Sequence, residues 1–140
     1  MTTTNKGSYH LYKNDKITQK YHWVLKASNG ETILKSENYV NRDDALNGIH
    51  SCQENSPFDK NYARLIAKDN SPYFNLKAKN NKIIGTSEMY SSTQNRDKGI
   101  ESVKKFGPTK VIVDETGTAN STGETVISSR PERSNEGRYA

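Results

Sequence analysis

Residues Leu25–Tyr39 read LKASNGETILKSENY, and Leu76–Tyr90 read LKAKNNKIIGTSEMY. At an offset of 51, Leu25–Cys52 aligns without a gap on Leu76–Val103, and eleven of those 28 positions are identical. Pro57 and Pro108 keep the offset. So polar a chain does not repeat itself this closely by chance; the pattern marks a tandem duplication of one structural unit. A catalytic site is needed once, whereas a unit that cannot bury its apolar face alone gains by being doubled.

Each copy has a legible local grammar. Trp23, Leu25 and Ala27 alternate with Val24, Lys26 and Ser28, as Phe74, Leu76 and Ala78 do with Asn75, Lys77 and Lys79. That period of two predicts strands with one buried face. Asn29-Gly30 follows, the dipeptide favoured by a two-residue type I′ hairpin turn, and Asn80-Asn81 stands in its place in the second copy. Strands are predicted at Thr32–Glu37 and Ile83–Glu88. A helix then begins in each copy, with Asn41 and Ser92 as N-caps and Asp43 and Asp44 in the first turn of the former. Ala45, Ile49 and Cys52 form one helical face, matched by Ile100, Val103 and Phe106. Gly107-Pro108 is a stop signal. Gly48 and Gly99, retained inside both helices, predict a close approach of helix to sheet. Opening strands are read at Tyr9–Lys13 and Tyr62–Lys68, and a last short strand at Lys110–Asp114.

Hydrophobic residues make up 31% of the 140 and the net charge is +5, with a mean hydropathy of −0.99. The division of the chain follows: a flexible N-terminus at 1–7, one folded domain over 8–114 (repeats at about 8–60 and 61–114), and a disordered tail at 115–140, rich in Ser, Thr, Gly and charge. The body carries the positive excess, since the tail alone sums to −1. No apolar run approaches the roughly 20 residues of a membrane span, and MTTTNKGSYH has no signal-peptide core, so a cytoplasmic chain without membrane contact is expected. The single Cys52 excludes an internal disulfide.

With these features laid out, the chain resembles the YegP-like proteins. The residues that carry the resemblance are Trp23 followed by LKASNGE, SENY at Ser36–Tyr39, Gly48-Ile49 and NSP at Asn55–Pro57. In the second copy they are YFNLKAKNNKIIG at Tyr73–Gly85, SEMYSS at Ser87–Ser92 and RDKGIESVK at Arg96–Lys104. The resemblance implies an α+β fold of two tandem β3-α-β repeats. They would form one mainly antiparallel sheet with exchanged C-terminal strands and two helices on one face, an internal pseudo-dimer within a monomer. It carries over no catalytic or binding residue.

The repeat also serves to weigh chemical candidates. Cys52 aligns with Val103, which points to a small buried role rather than a nucleophile. His10, His22 and His50 fall at no metal-ligand spacing, so neither metal nor cofactor is expected. No phosphate-binding glycine loop or serine-hydrolase motif is present. The Ser-Glu-x-Tyr motif, Ser36-Glu37 with Tyr39 and Ser87-Glu88 with Tyr90, reads as a strand-to-helix junction, its serines bonded to backbone and its tyrosines beneath the helix. These readings predict no enzyme. The remaining candidate is the sheet face away from the helices, with Lys26, Lys77 and Lys79 near Tyr12 and Arg64 as a ligand or nucleic-acid surface. The expected function is a small binding module acting on an unidentified protein partner or on a second copy of itself, with nucleic-acid binding as the alternative.

Overall fold

The computed structural model describes residues 7–14 and 20–116. The N-terminal six residues, part of the loop before the second strand, and the tail from residue 117 lie outside the described residues, and with them most of the predicted flexible N-terminus and disordered tail.

The elements run β1 (Ser8–Lys13), β2 (Tyr21–Lys26), β3 (Thr32–Ser36), α1 (Arg42–Asn55), a 3-10 turn (Asp59–Asn61), β4 (Tyr62–Ile66), β5 (Pro72–Lys77), β6 (Ile83–Thr86), α2 (Thr93–Phe106) and β7 (Ile112–Asp114). The strands form one seven-stranded sheet in the order β4-β5-β6-β3-β2-β1-β7. Every pairing is antiparallel except β1 with β7. The fold is therefore α+β, built from the two predicted repeats. They meet where β3 pairs with β6, through Lys35↔Thr86 and Ser36↔Gly85.

Local chemistry explains the elements. Asn41 Oδ1 accepts from Asp44 N–H at 2.8 Å and Ser92 Oγ from Asn95 N–H at 3.0 Å, so both predicted N-caps form. The hairpin turns differ from the predicted type I′. Gly30 has φ of 86° and Asn81 of 70°, while Asn29 and Asn80 are not in the left-handed region. Gly30 N–H reaches Ala27 O at 2.9 Å and Ala27 N–H reaches Glu31 O at 2.9 Å. This is a three-residue loop with its last residue left-handed. Asn29 and Asn80 act through their side chains, accepting from Glu31 and Lys82 N–H at 2.9 and 3.0 Å. Asp69-Asn70 builds the β4–β5 turn in the same way, with Asn70 at φ of 70°.

One core lies between the sheet and the two helices. Trp23, Leu25, Leu34, Phe74 and Leu76 rise from the sheet to meet Ala45, Ile49, Cys52, Ile100 and Val103 from the helices, all fully buried. The junction reading holds at each repeat. Ser36 Oγ accepts from Trp23 N–H at 2.9 Å and donates to Glu37 O at 2.7 Å; Ser87 does the same for Phe74 N–H and Glu88 O at 3.0 and 2.8 Å. Tyr39 and Tyr90 press on Gly48 and Gly99, where a Cβ would strike their hydroxyls. Burial pushes the Cys52 thiol up to about 12, which fits a packing role.

The strand exchange takes a particular form. β7, from the second repeat, runs parallel to β1 of the first, with Tyr9↔Ile112 and Leu11↔Asp114 in register. In the first repeat the chain leaving α1 turns through Asp59–Asn61 and becomes β4 itself. The two helix exits are nonetheless equivalent: Tyr9 Oη donates to Gly107 O and Tyr62 Oη to Ser56 O, each at 2.6 Å. Glu115 and Thr116, assigned to the tail by sequence, belong to the folded edge. Glu115 N–H donates to Leu11 O at 2.8 Å, and Thr116 N–H to Asp114 Oδ1 at 2.9 Å. Gly7 is likewise held, its carbonyl accepting from Thr109 Oγ1 at 2.7 Å.

Candidate functional site

The predicted lysine face separates into parts. Lys26 ends β2 opposite Ser8, and Lys77 ends β5 opposite Ile83. Both point away from the helices, since their neighbours Leu25 and Leu76 point into the core. β2 and β5 run in opposite directions three strands apart, about 14 Å, so the two lysines sit at opposite ends of the sheet. Arg64 is not on this face. It pairs with Phe74, whose ring is in the core, and so lies on the helix side. There its guanidinium meets Asp59 Oδ1 at 3.0 Å and Asp97 Oδ1 at 3.4 Å. The strand starts at Tyr62 as predicted, and it is the pairing of Tyr62 with Leu76 and Arg64 with Phe74 that sets which face Arg64 takes. Lys79 lies beyond β5, exposed in the hairpin turn.

Lys77 and Lys79 do come together with a residue that sequence reasoning passed over. Two adjoining grooves, of about 470 and 380 Å³, wrap the corner where the 3-10 turn enters β4 beside the β5–β6 hairpin. They share Lys60, Asn61, Ala78 and Lys79; Lys77 joins on the open-face side and Phe58 on the helix side. Among the lining residues Glu54 is the only acid. No ion pair joins Lys60, Lys77 or Lys79 to a carboxylate among the described residues. The corner is thus a concave, cationic surface with amide side chains and one apolar ring.

The far side of the sheet carries different chemistry. His10, Tyr12 and His22 stack in a row across β1 and β2, with Tyr12–His22 ring centroids 5.3 Å apart and His10–Tyr12 6.5 Å apart. With Tyr9 and Leu11 buried, the alternation of β1 puts His10 and Tyr12 on the open face, and the β1–β2 register brings His22 beside Tyr12. Ser8 Oγ stands 2.9 Å from His10 Nε2, and Glu115 Oε2 lies 3.2 Å from His10 Nδ1. Although this line has the order of nucleophile, base and acid, its evident work is to fasten the chain after β7 onto β1. On the helix side Arg42 of α1 pairs with Asp114 and fastens the same strand.

Burial lowers the pKa of His10, assisted by nearby Lys26 and opposed by Glu115, and burial with Lys35 lowers that of His22. A histidine with a folded pKa below its unfolded value near 6.5 stabilises the fold above that value and withdraws the contribution as pH falls through the window below it. Thermal unfolding from pH 7 to pH 5 should therefore show a falling midpoint, and His10→Gln with His22→Gln should flatten the slope. A midpoint that rises on acidification would contradict this.

Sequence comparison decides the kinship. A family model described as a domain of unknown function, DUF1508, matches twice, over residues 18–62 and 67–114. A UPF0339 protein of Shewanella oneidensis is 53% identical over 110 residues, covering 79% of this chain and 98% of its own. The UPF0339 protein YegP of Escherichia coli is 46% identical over 110 residues, with the same coverage. This chain belongs to the YegP-like (UPF0339) family. Solution structures of two members agree with the fold. A UPF0339 protein of Shewanella oneidensis has a TM-score of 0.73 at 52% identity, covering 79% of this chain and 92% of that one. The Escherichia coli yegP protein, itself described as of unknown function, has a TM-score of 0.76 at 42% identity, covering 84% and 99%. The YegP-like kinship accounts for the doubled scaffold and brings no site residue with it, so function rests on what the surface of this chain can do. No helix of the described residues is long and apolar enough to cross a membrane.

Proposed function

We propose that the chain is a small, non-enzymatic cytoplasmic module that works by binding another protein. The observation that carries this reading is the cationic corner, where Lys60, Lys77 and Lys79 converge on a groove and none meets a carboxylate among the described residues. Convergent like charge without an internal partner is tolerable in water and gains when an anionic partner arrives. The reactive side chains have structural work that supports the same view. Cys52 packs in the core, and the serines of the two Ser-Glu junctions hold strands β2 and β5. A tagged full-length chain incubated with lysate, with and without nuclease, should retain a stoichiometric protein in both conditions. Retention of nucleic acid alone, abolished by nuclease, would refute the protein-binding reading.

The Tyr12–His22 stack beside Lys35 favours a second reading, binding of single-stranded nucleic acid by charge and stacking on the open face. That reading requires affinity for mixed-sequence oligonucleotides at low salt, with log K falling as log[salt] rises. It fails if neither Tyr12→Ala nor joint reversal of Lys26, Lys77 and Lys79 to Glu changes that affinity.

A further inference from the structure

We propose that the outer edge of β4, together with the lysine corner beside it, is a docking site for an extended acidic peptide segment that adds an eighth strand parallel to β4. The proposal rests on the protein-binding reading and gives it a place and a partner chemistry.

The chain contains its own template for the interaction. β1 and β4 are equivalent strands, with Tyr9 opposite Leu25 as Tyr62 is opposite Leu76. On β1 the outward peptide groups belong to Tyr9 and Leu11: Tyr9 N–H donates to Val111 O at 2.9 Å and Leu11 O accepts from Glu115 N–H at 2.8 Å. The corresponding groups on β4 belong to Tyr62 and Arg64. β4 is the terminal strand of the sheet, and no described strand pairs with its outer side. The Asp59–Asn61 turn replaces only the first bond of the template, since Tyr62 N–H turns back to Asp59 O. Arg64 and the exposed Ile66 follow on an edge of the kind that binds added strands.

Charge selects the partner. β7 brings Asp114 to Arg42 and Glu115 to His10 on the first repeat's edge. At the second repeat's edge the cations lie at the start of β4, where Lys60 and Lys77 flank Asn61 and Lys79 stands in the adjoining turn. A parallel segment meets that corner with its first residues. The fitting sequence therefore has acidic residues followed by an apolar run like the Val111-Ile112-Val113 that leads through β7. A second copy joined edge to edge through the same strand, with Arg64 opposite its own counterpart, would set like charges against each other.

The probe is the acetylated, amidated hexapeptide Glu-Glu-Val-Ile-Val-Asp, with Lys-Lys-Val-Ile-Val-Asp as its control, titrated into the full-length, isotope-labelled chain. The acidic peptide should shift the Tyr62–Ile66 amides and slow hydrogen exchange at Arg64 and Ile66, and the basic control should not. Joint reversal of Lys60, Lys77 and Lys79 to Glu should weaken binding at least about tenfold. Arg64→Pro, which removes an outward N–H from an edge strand, should abolish it. N-methylation of the peptide backbone provides the same test without altering the protein. The proposal is overturned if the peptide leaves the β4 amides unchanged, if N-methylation does not weaken binding, or if β4 protection appears instead through concentration-dependent self-association. A lysate partner that binds stoichiometrically but protects another surface would overturn this docking site while leaving the protein-binding reading in place.

Discussion

Trp23→Ala is expected to lower stability by about 3–5 kcal/mol, a large share of the roughly 5–15 kcal/mol that holds a domain folded. Trp23 is the largest fully buried side chain and sits in β2 beneath α1. Tyr9 meets it edge-on, with centroids 5.3 Å apart and planes at 81°, and Gly48 and Tyr39 close over it. Truncation therefore removes apolar burial and leaves a cavity whose walls belong to the sheet and the helix together. The second repeat supplies the control. Phe74 holds the equivalent place, flanked by Tyr62 at 5.7 Å and Tyr90 at 6.3 Å. The Trp23 indole N–H faces the Tyr39 hydroxyl over Gly48 but makes no well-formed hydrogen bond among the described residues, so Trp23→Phe should cost less than half as much as the alanine change. Urea unfolding of both variants measures the difference; a loss below about 1 kcal/mol for Trp23→Ala would contradict the shared core.

Gly85→Val should be the most damaging change at the seam, at about 1–3 kcal/mol. A Cβ on Gly85 would lie 2.8 Å from Leu34 Cδ2 and 3.0 Å from the Lys35 carbonyl oxygen. Leu34 is fully buried and the carbonyl is backbone, so neither can step aside. The sequence gives this contact a further meaning, because Leu34 and Gly85 are equivalent residues of the two repeats. At the pseudo-two-fold seam one copy supplies the bulk and the other the space. Leu34→Ala should therefore recover part of the loss when combined with Gly85→Val. A double-mutant cycle showing simple additivity would place the two residues out of contact.

The duplicated phrases made most of the fold legible because each carries several independent signals. Strand alternation, Asn-rich turns, capping residues and the retained Gly48 and Gly99 all agree on the same unit. The turn type is not legible in the dipeptides, because Asn29 and Asn80 serve as side-chain acceptors for the Glu31 and Lys82 N–H groups and not as left-handed backbone. Arg64 lies on the helix side and not on the open face because a strand has two possible phases, and its pairing with Phe74 selects one of them. The lysine corner was half visible. Lys77 and Lys79 stand in the alternating pattern, but Lys60 joins them only because the chain after α1 coils through a single 3-10 turn, which no local signal in Phe58–Asn61 announces. The stacked row of His10, Tyr12 and His22 is likewise a product of strand pairing rather than of spacing along the chain.

The central claim is that two incomplete units become one domain by sharing a sheet and a core. Expression of residues 1–60 alone tests it most directly. That half contains β1, β2, β3 and α1 but lacks β7 on the edge of β1, β6 beside β3 and the α2 side chains of the common core. It should be unfolded, or should self-associate with a mass that rises with concentration in sedimentation analysis. A stable, monomeric half with a native-like dispersed spectrum would contradict the account.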